Sequence, residues 1–214
     1  FVSCERVFNP KLNNKPVVVL SNNDGCIISR SNEAKALKIP MGIAVFKVKD
    51  IIKKNKVHVY SSNYTLYADM SLRVMLNIKK LTKNINPYSI DEAFFECKNE
   101  KEAKIVKQAV EKNTGIPVSI GLGPTKTLAK AMNELAKKNP KFNGILEYKN
   151  PQILKKLKIK DVWGIGGQTS KKLRKYGINT AFDYISKNEN WVKKLLKKPG
   201  HQTYLELKGI NCKD

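Results

Sequence analysis

The sequence predicts an α+β protein: a ferredoxin-like sheet with helices over residues 63–148, a smaller β-containing part before it, and an all-helical part after it. Three observations carry this. Short β-branched runs alternate with stretches of helical apolar spacing as far as residue 148. Beyond Pro151 no strand-like run remains. Gly, Pro and Asn-Gly punctuate the chain between these runs, where turns are needed.

The elements follow in order. Residues 15–29 (KPVVVLSNNDGCIIS) set two β-branched runs on either side of Asn23-Asp24-Gly25, a hairpin in which Asp24 is a turn residue rather than a catalyst. SNEAKALK (31–38) is a short helix stopped by Ile39-Pro40, and KVHVY (56–60) is a short strand that holds His58. Over 63–82 the apolar residues Leu66, Met70, Val74, Ile78 and Leu81 recur at steps of three and four, an amphipathic helix. Asn86-Pro87 then leads into a strand–turn–strand over Tyr88–Phe95. A charged helix over 99–113, a strand over Val118–Gly123, a helix over 125–138 starting near Thr125, and the strand ILEY after Asn143-Gly144 complete this part.

Of 214 residues 41% are hydrophobic, enough to bury a core. No apolar run approaches the ~18 residues of a membrane span. The formal net charge is +23, with 41 basic residues against 18 acidic ones. Residues 1–62, 63–150 and 151–214 carry net +7, +6 and +10. An AT-rich genome also enriches Lys and Asn, but this excess is beyond what solubility needs and points to a polyanion, foremost nucleic acid. Cys4, Cys26, Cys97 and Cys212 are far apart and only His58 and His201 accompany them, a pattern of free thiols in a reducing cytosol rather than a zinc site or a disulfide framework.

Two constellations carry chemistry. Asp91 and Glu92 are adjacent carboxylates inside the apolar stretch Ser89–Phe94. A buried carboxylate is costly unless it is paired or metal-bound, so the pair reads as a metal-binding corner or as a solvated turn. Two-metal phosphoryl transfer uses such carboxylates to hold two Mg²⁺ ions about 4 Å apart, and a third carboxylate is expected to complete the set. The second constellation runs Val162-Trp163-Gly164-Ile165-Gly166-Gly167, then Ser170, Leu173, Gly177 and Ile178. This is helix–hairpin–helix spacing. Glycines let the hairpin backbone approach a phosphate, the next helix offers free N–H groups, and Lys171 and Lys172 add charge. Gly121-Leu-Gly-Pro-Thr-Lys126 lacks the Walker spacing and reads as a strand-to-helix turn.

Together these strings resemble the Y-family translesion DNA polymerases, in particular their UmuC-like group. The segments that carry it are FVSCE (1–5), KPVVVLSNNDGCIISRSNEAKAL (15–37), SSNYTLYADMS (61–71), YSIDEAF (88–94), TKTLAK (125–130) and DVWGIGGQTSKKL (161–173). The resemblance implies a polymerase palm with small fingers and an all-helical helix–hairpin–helix thumb: fingers, with the palm's N-terminal remnant, over 1–62, palm over 63–148 and thumb over 149–214. It implies that Asp91 and Glu92 are the catalytic and Mg²⁺-binding pair. It implies that Phe1 is the aromatic gate against a ribose 2′-OH, that Lys35 and Lys137 meet the triphosphate, and that Gly164, Gly166, Gly167, Lys171 and Lys172 hold DNA. Asn32 stands where some relatives have a triphosphate-binding Tyr. The implied partners are primer–template DNA, deoxynucleoside triphosphates, a UmuD-type accessory dimer, RecA and the sliding clamp, in the cytoplasm and with no membrane. A chain that begins at Phe1 is expected to be a piece lacking the first palm strand, its metal-binding Asp and the little finger, and to be inactive alone. Two other functions stay open from the residues: a non-catalytic DNA-binding module built on the helix–hairpin–helix, and a nucleotide cyclase using the acidic pair.

Overall fold

The computed structural model describes residues 1–213, which form two compact units. The first holds Phe1–Phe95 and Ala109–Pro117; the second holds Glu96–Gln108 and the chain from Val118 onward.

In the first unit the central element is β1 (Val17–Leu20), whose four apolar residues are all buried. It pairs antiparallel with β2 (Ile27–Arg30) and parallel with β3 (His58–Tyr60), so the sheet order is β2-β1-β3. Side chains alternate across a strand. Val17 and Val19 therefore enter one core, with Val2 and Cys4 of α1 (Val2–Phe8) and Tyr67 and Met70 of α4 (Tyr64–Leu81). Val18 and Leu20 enter a second core on the opposite face. There they meet Ala34 of α2 (Asn32–Ala36) and, at its margin, Ile51 and Ile52 of α3 (Lys49–Lys54). A central strand covered on both faces reads as a continuous apolar run rather than an alternating one, which is why VVVL is solid. The predicted hairpin is present: Asp24 takes φ +53°, and Asn23 Oδ1 accepts hydrogen bonds from Ser21 Oγ and the Gly25 N–H.

Local chemistry sets the helix starts. Ser31 Oγ accepts from the Ala34 N–H and caps α2, and Asn63 Oδ1 accepts from the Leu66 N–H and caps α4. On α4 the buried residues are Tyr67, Met70 and Ile78, whereas Leu81 at the last position is 48% exposed. Helices α1 and α3 lie outside the elements expected from the sequence. They are seven and six residues long, too short for a periodic signal, and packing on β1 or its cores holds them.

The second unit is built on β6 (Ile120–Leu122) and β7 (Ile145–Glu147), a parallel pair joined through α6 (Lys126–Lys138). Thr125 Oγ1 caps α6 at the Leu128 N–H. Leu128, Ala131, Met132, Leu135 and Ala136 form its buried stripe. The helix lies so close to β6 that a Cβ on Gly121 would sit 2.1 Å from the Ala129 carbonyl oxygen, which requires glycine there. After α6 come α7 (Gly167–Arg174), α8 (Ala181–Ile185) and α9 (Glu189–Leu207). A single core runs from Leu128 to Leu207 and passes Pro151 without a break. Helix α9 bends at Lys197, which has φ +57° and precedes Pro199 by two residues. The buried Tyr184 hydroxyl reaches across to the Gly200 carbonyl at 2.8 Å.

The fold class is α+β with mixed sheets, as expected. The single sheet expected over 63–148 is present as two separate pairs: antiparallel β4 (Asn86–Ser89) with β5 (Glu92–Phe94), and parallel β6 with β7. All four β4 residues are exposed, so that strand has no buried face to place it in a layered sheet. The remaining helix, α5 (Glu100–Thr114), begins in the second unit and ends in the first.

Candidate active site and nucleic-acid interface

The β4–β5 hairpin presents the acidic pair. Ile90 and Asp91 form its turn, and Glu92 opens β5 opposite Ser89. Ser89 Oγ donates to Asp91 Oδ1 at 2.7 Å and accepts from the Asp91 N–H at 3.3 Å, fixing the Asp91 carboxylate at the tip. Asp91 is exposed and Glu92 half-buried. Both are hard oxygen donors, the kind taken by an ion that keeps several of its waters. Mg²⁺ is bound by one or two carboxylates together with substrate phosphates, so this donor set fits it in kind. Among the described residues no group of three His, Cys, Asp or Glu is arranged to hold a metal.

Phe1 lies immediately before α1. Its ring stacks on Tyr67 with centroids 4.3 Å apart and planes 9° from parallel, and it meets Tyr64 edge-on at 6.0 Å. Tyr67 is 2% exposed, and its hydroxyl donates to Glu5 Oε1 at 2.6 Å. Burial, reinforced by that bond to Glu5, pushes the Tyr67 hydroxyl pKa well above the ordinary tyrosine value, so it stays a donor. Residues 1 and 5 are one helical turn apart, so α1 brings Phe1 and Glu5 to the same tyrosine. The role of Tyr67 was not read from the sequence. The apolar series read along its helix passes through Leu66 and Met70 and does not include it.

Lys35 is exposed on α2, and its Nζ donates to Asn32 Oδ1 at 3.2 Å. Asn32 is thus the lysine's own partner. Arg6 ties α2 to the chain ahead of β1: its Nη2 bonds Glu33 Oε2 and the Lys15 carbonyl, each at 2.8 Å. Burial alone would raise the Glu33 pKa, but hydrogen bonds from Ser31, its own backbone N–H and Arg6 outweigh it and hold the carboxyl below the usual range.

In the second unit Lys137 is exposed in the last turn of α6. Its neighbour Lys138 is committed to Glu134 at 2.9 Å and Asp161 at 2.6 Å. The glycine hairpin lies between the short turn Ile159–Asp161 and α7. Val162, Ile165, Leu173 and Ile178 anchor it in the core, which leaves Gly164, Gly166 and Gly167 exposed. Gly164 has φ +86°, and Gly166 caps α7, so the first N–H groups of that helix end at an open surface. Lys171 is exposed. Lys172 is exposed as well, and its Nζ donates to the Leu195 carbonyl of α9 at 3.1 Å. A long side chain on a short helix finds a free carbonyl on its neighbour, and no local pattern shows which one. Trp163 of the hairpin lies under Lys213 Nζ, 4.0 Å from the ring centroid. Glu206 is fully buried, and its two carboxylate oxygens accept the N–H groups of Thr127 at 2.9 Å and Cys212 at 2.8 Å. It closes the N-terminus of α6, which sequence reading did not foresee.

The α+β fold is that of a Y-family polymerase core. Residues 1–134 match the impB/mucB/samB family, and residues 151–178 match the IMS family HHH motif. The chain belongs to the impB/mucB/samB family, the UmuC-like Y-family polymerases. Protein ImpB of Salmonella typhimurium is 41% identical over 99% of this chain and 53% of its own length. Protein UmuC of the same organism is 40% identical with the same two coverages. The chain thus spans about half the length of these curated relatives. The crystal structure of DinB from Sulfolobus solfataricus superposes with a TM-score of 0.81 at 28% identity, over 97% of this chain and 63% of that one. An insertion ternary complex of Dbh DNA polymerase has the same TM-score and identity. Among the described residues no helix is long and apolar enough to cross a membrane, and all four cysteines are free thiols.

Proposed function

We propose that this chain carries the fingers (1–62), palm (63–148) and thumb (149–214) of a template-directed translesion DNA polymerase of SOS-type mutagenic repair, working in the cytoplasm by two-metal nucleotidyl transfer. The observation that carries the reading is the Asp91–Glu92 pair at the tip of the β4–β5 hairpin, in a chain of this family. Asp91 and Glu92 would hold the Mg²⁺ ions. When bound, these supply the Lewis-acid charge stabilisation of phosphoryl transfer. The chain's own residues bind and orient. Phe1, seated on Tyr67, lies beneath the deoxyribose and excludes a 2′-OH. The ammonium groups of Lys35 and Lys137 neutralise the triphosphate. The Gly164–Gly167 hairpin and Lys171 hold duplex phosphates through backbone N–H groups and charge, with Lys172 contributing its charge nearby. The partners are primer–template DNA and deoxynucleoside triphosphates, and the family adds a UmuD-type dimer, RecA and the sliding clamp.

The test is Asp91→Asn in the native protein. Asn keeps an oxygen for the Ser89 hydroxyl and the residue is exposed, so the fold and duplex binding should be unchanged. Primer extension should fall below a few per cent of the parent. Extension above that level, with Mg²⁺ present, overturns the metal-ligand role.

A further inference from the structure

The most exposed of the chain's exposed large apolar side chains lies far from the acidic hairpin in sequence. Phe46 is 66% exposed, on the single 3₁₀ turn Val45–Val48 that leads into α3. Its chain neighbours on either side are not free in this way: Val45, Val48, Ile51 and Ile52 belong to the core beneath the sheet or pack against it. The backbone before it is equally well held, by the bonds from the Val45 N–H to the Gly25 carbonyl and from the Gly42 N–H to the Ile27 carbonyl. Phe46 is therefore an aromatic ring turned outward on a fixed backbone.

Its surroundings are basic. Lys47, Lys49, Lys53, Lys54 and Lys56 are all exposed on the same short segment, and Asp50 is the single acid among residues 46–56. Lys47 Nζ stands 5.9 Å from the Phe46 ring centroid, on the ring's own face. The core-facing residues of this segment are all apolar, so its exposed residues are five lysines, Asp50, Asn55 and one ring, a net positive surface. A bare lysine field suits any polyanion. A duplex presents phosphates outside and no free base face, so it gives the ring nothing to stack on. A strand with unpaired bases matches both parts, phosphates to the ammonium groups and a base to the ring.

We propose that Phe46 and the lysines of residues 47–56 form a binding surface for single-stranded nucleic acid, with Phe46 as a stacking platform for one unpaired base. Calling that strand the unpaired template rests on the polymerase reading; the binding itself does not.

The experiment measures anisotropy of fluorescein-labelled (dT)₁₅ and of a blunt 15-base-pair duplex with the 214-residue chain, its Phe46→Ala and Phe46→Trp variants, and Lys49→Glu/Lys53→Glu. Phe46→Ala should weaken (dT)₁₅ binding about tenfold and leave the duplex within twofold, and Phe46→Trp should restore the single-strand affinity. The double lysine variant should reduce the slope of log affinity against log salt by ~1.4 for the single strand, at ~0.7 per phosphate. Equal (dT)₁₅ affinity for the parent and Phe46→Ala overturns the proposal. So does an equal loss on the duplex. Poly-glutamate, or vesicles of anionic lipid, competing as well as (dT)₁₅ and with the same dependence on Phe46 would assign the surface to an acidic protein or a membrane instead. Loss of single-strand binding in Phe46→Ala alongside normal primer extension supports the surface and separates it from the catalytic reading, as does intact binding by a parent that fails to extend.

Discussion

Replacing Gly164 by alanine probes the glycine hairpin proposed to hold DNA, and the structure sets the size of the effect. Gly164 has φ +86°, where a residue with a Cβ is strained by about 1–2 kcal/mol. The added Cβ would also sit 2.8 Å from Thr203 Oγ1. Thr203 is 1% exposed and its hydroxyl donates to the Pro199 carbonyl at 3.2 Å, so it has no room to turn away. Overpacking of this kind costs about 1–3 kcal/mol. The sum is about 2–5 kcal/mol, and at roughly 2–4 °C per kcal/mol for a chain of this size the midpoint should fall by roughly 4–20 °C. Thr203→Ala alone loses one hydrogen bond, about 1 kcal/mol. The double variant Gly164→Ala/Thr203→Ala should recover the steric part, about 1–3 kcal/mol, and keep the backbone part. Calorimetric melting of the four proteins measures this coupling. Duplex affinity by anisotropy should fall in Gly164→Ala while showing no dependence on base sequence. A Gly164→Ala midpoint within about 1 °C of the parent, or no coupling to Thr203, refutes the packing argument.

Two further outcomes are expected. Phe1→Ala should raise the ribonucleotide-to-deoxynucleotide ratio of kcat/KM. It should also cost about 2 kcal/mol, roughly half the loss for a fully buried phenylalanine, because the ring is half-buried against Tyr67. The same cost with unchanged sugar discrimination would make Phe1 a packing partner of Tyr67 alone. Asp183 closes a capping box at the start of α8, accepting from the N–H groups of Asn179 at 3.0 Å and Thr180 at 2.9 Å. Burial works to raise its pKa, but these bonds outweigh it and hold the carboxyl below the ordinary value. Its stabilisation is therefore complete above the usual aspartate pKa of about 3.9 and is lost as pH falls through the depressed folded value. Asp183→Asn should cost about 1 kcal/mol at pH 7, and the gap to the parent should close as pH drops below about 4. A gap that stays constant down to pH 2 would remove Asp183 from the cap.

The sequence alone determined whatever depends on neighbours within a turn or two of chain. Asn23-Asp24-Gly25 forces its turn, because few residues accept positive φ. Ser31, Asn63 and Thr125 cap helices through N–H groups three residues ahead. The buried stripe of α6 is readable as steps of three and four, and the adjacent acids Asp91 and Glu92 and the glycine hairpin are visible as strings. The tertiary structure decided whatever depends on partners distant in the chain. Tyr67 lies under Phe1 only because the odd-numbered face of β1 gathers α1 and α4 into one core. Glu206 closes α6 from 79 residues away, at the Thr127 N–H. The core that takes in both α6 and α9 ignores the change in composition at Pro151, and two short pairs stand where one sheet was expected. The physical reason is the same in each case. A cap or a turn is selected by local backbone geometry, with few alternatives. A buried partner is selected by which apolar faces can be covered together, and equally apolar residues elsewhere in the chain satisfy the same local pattern.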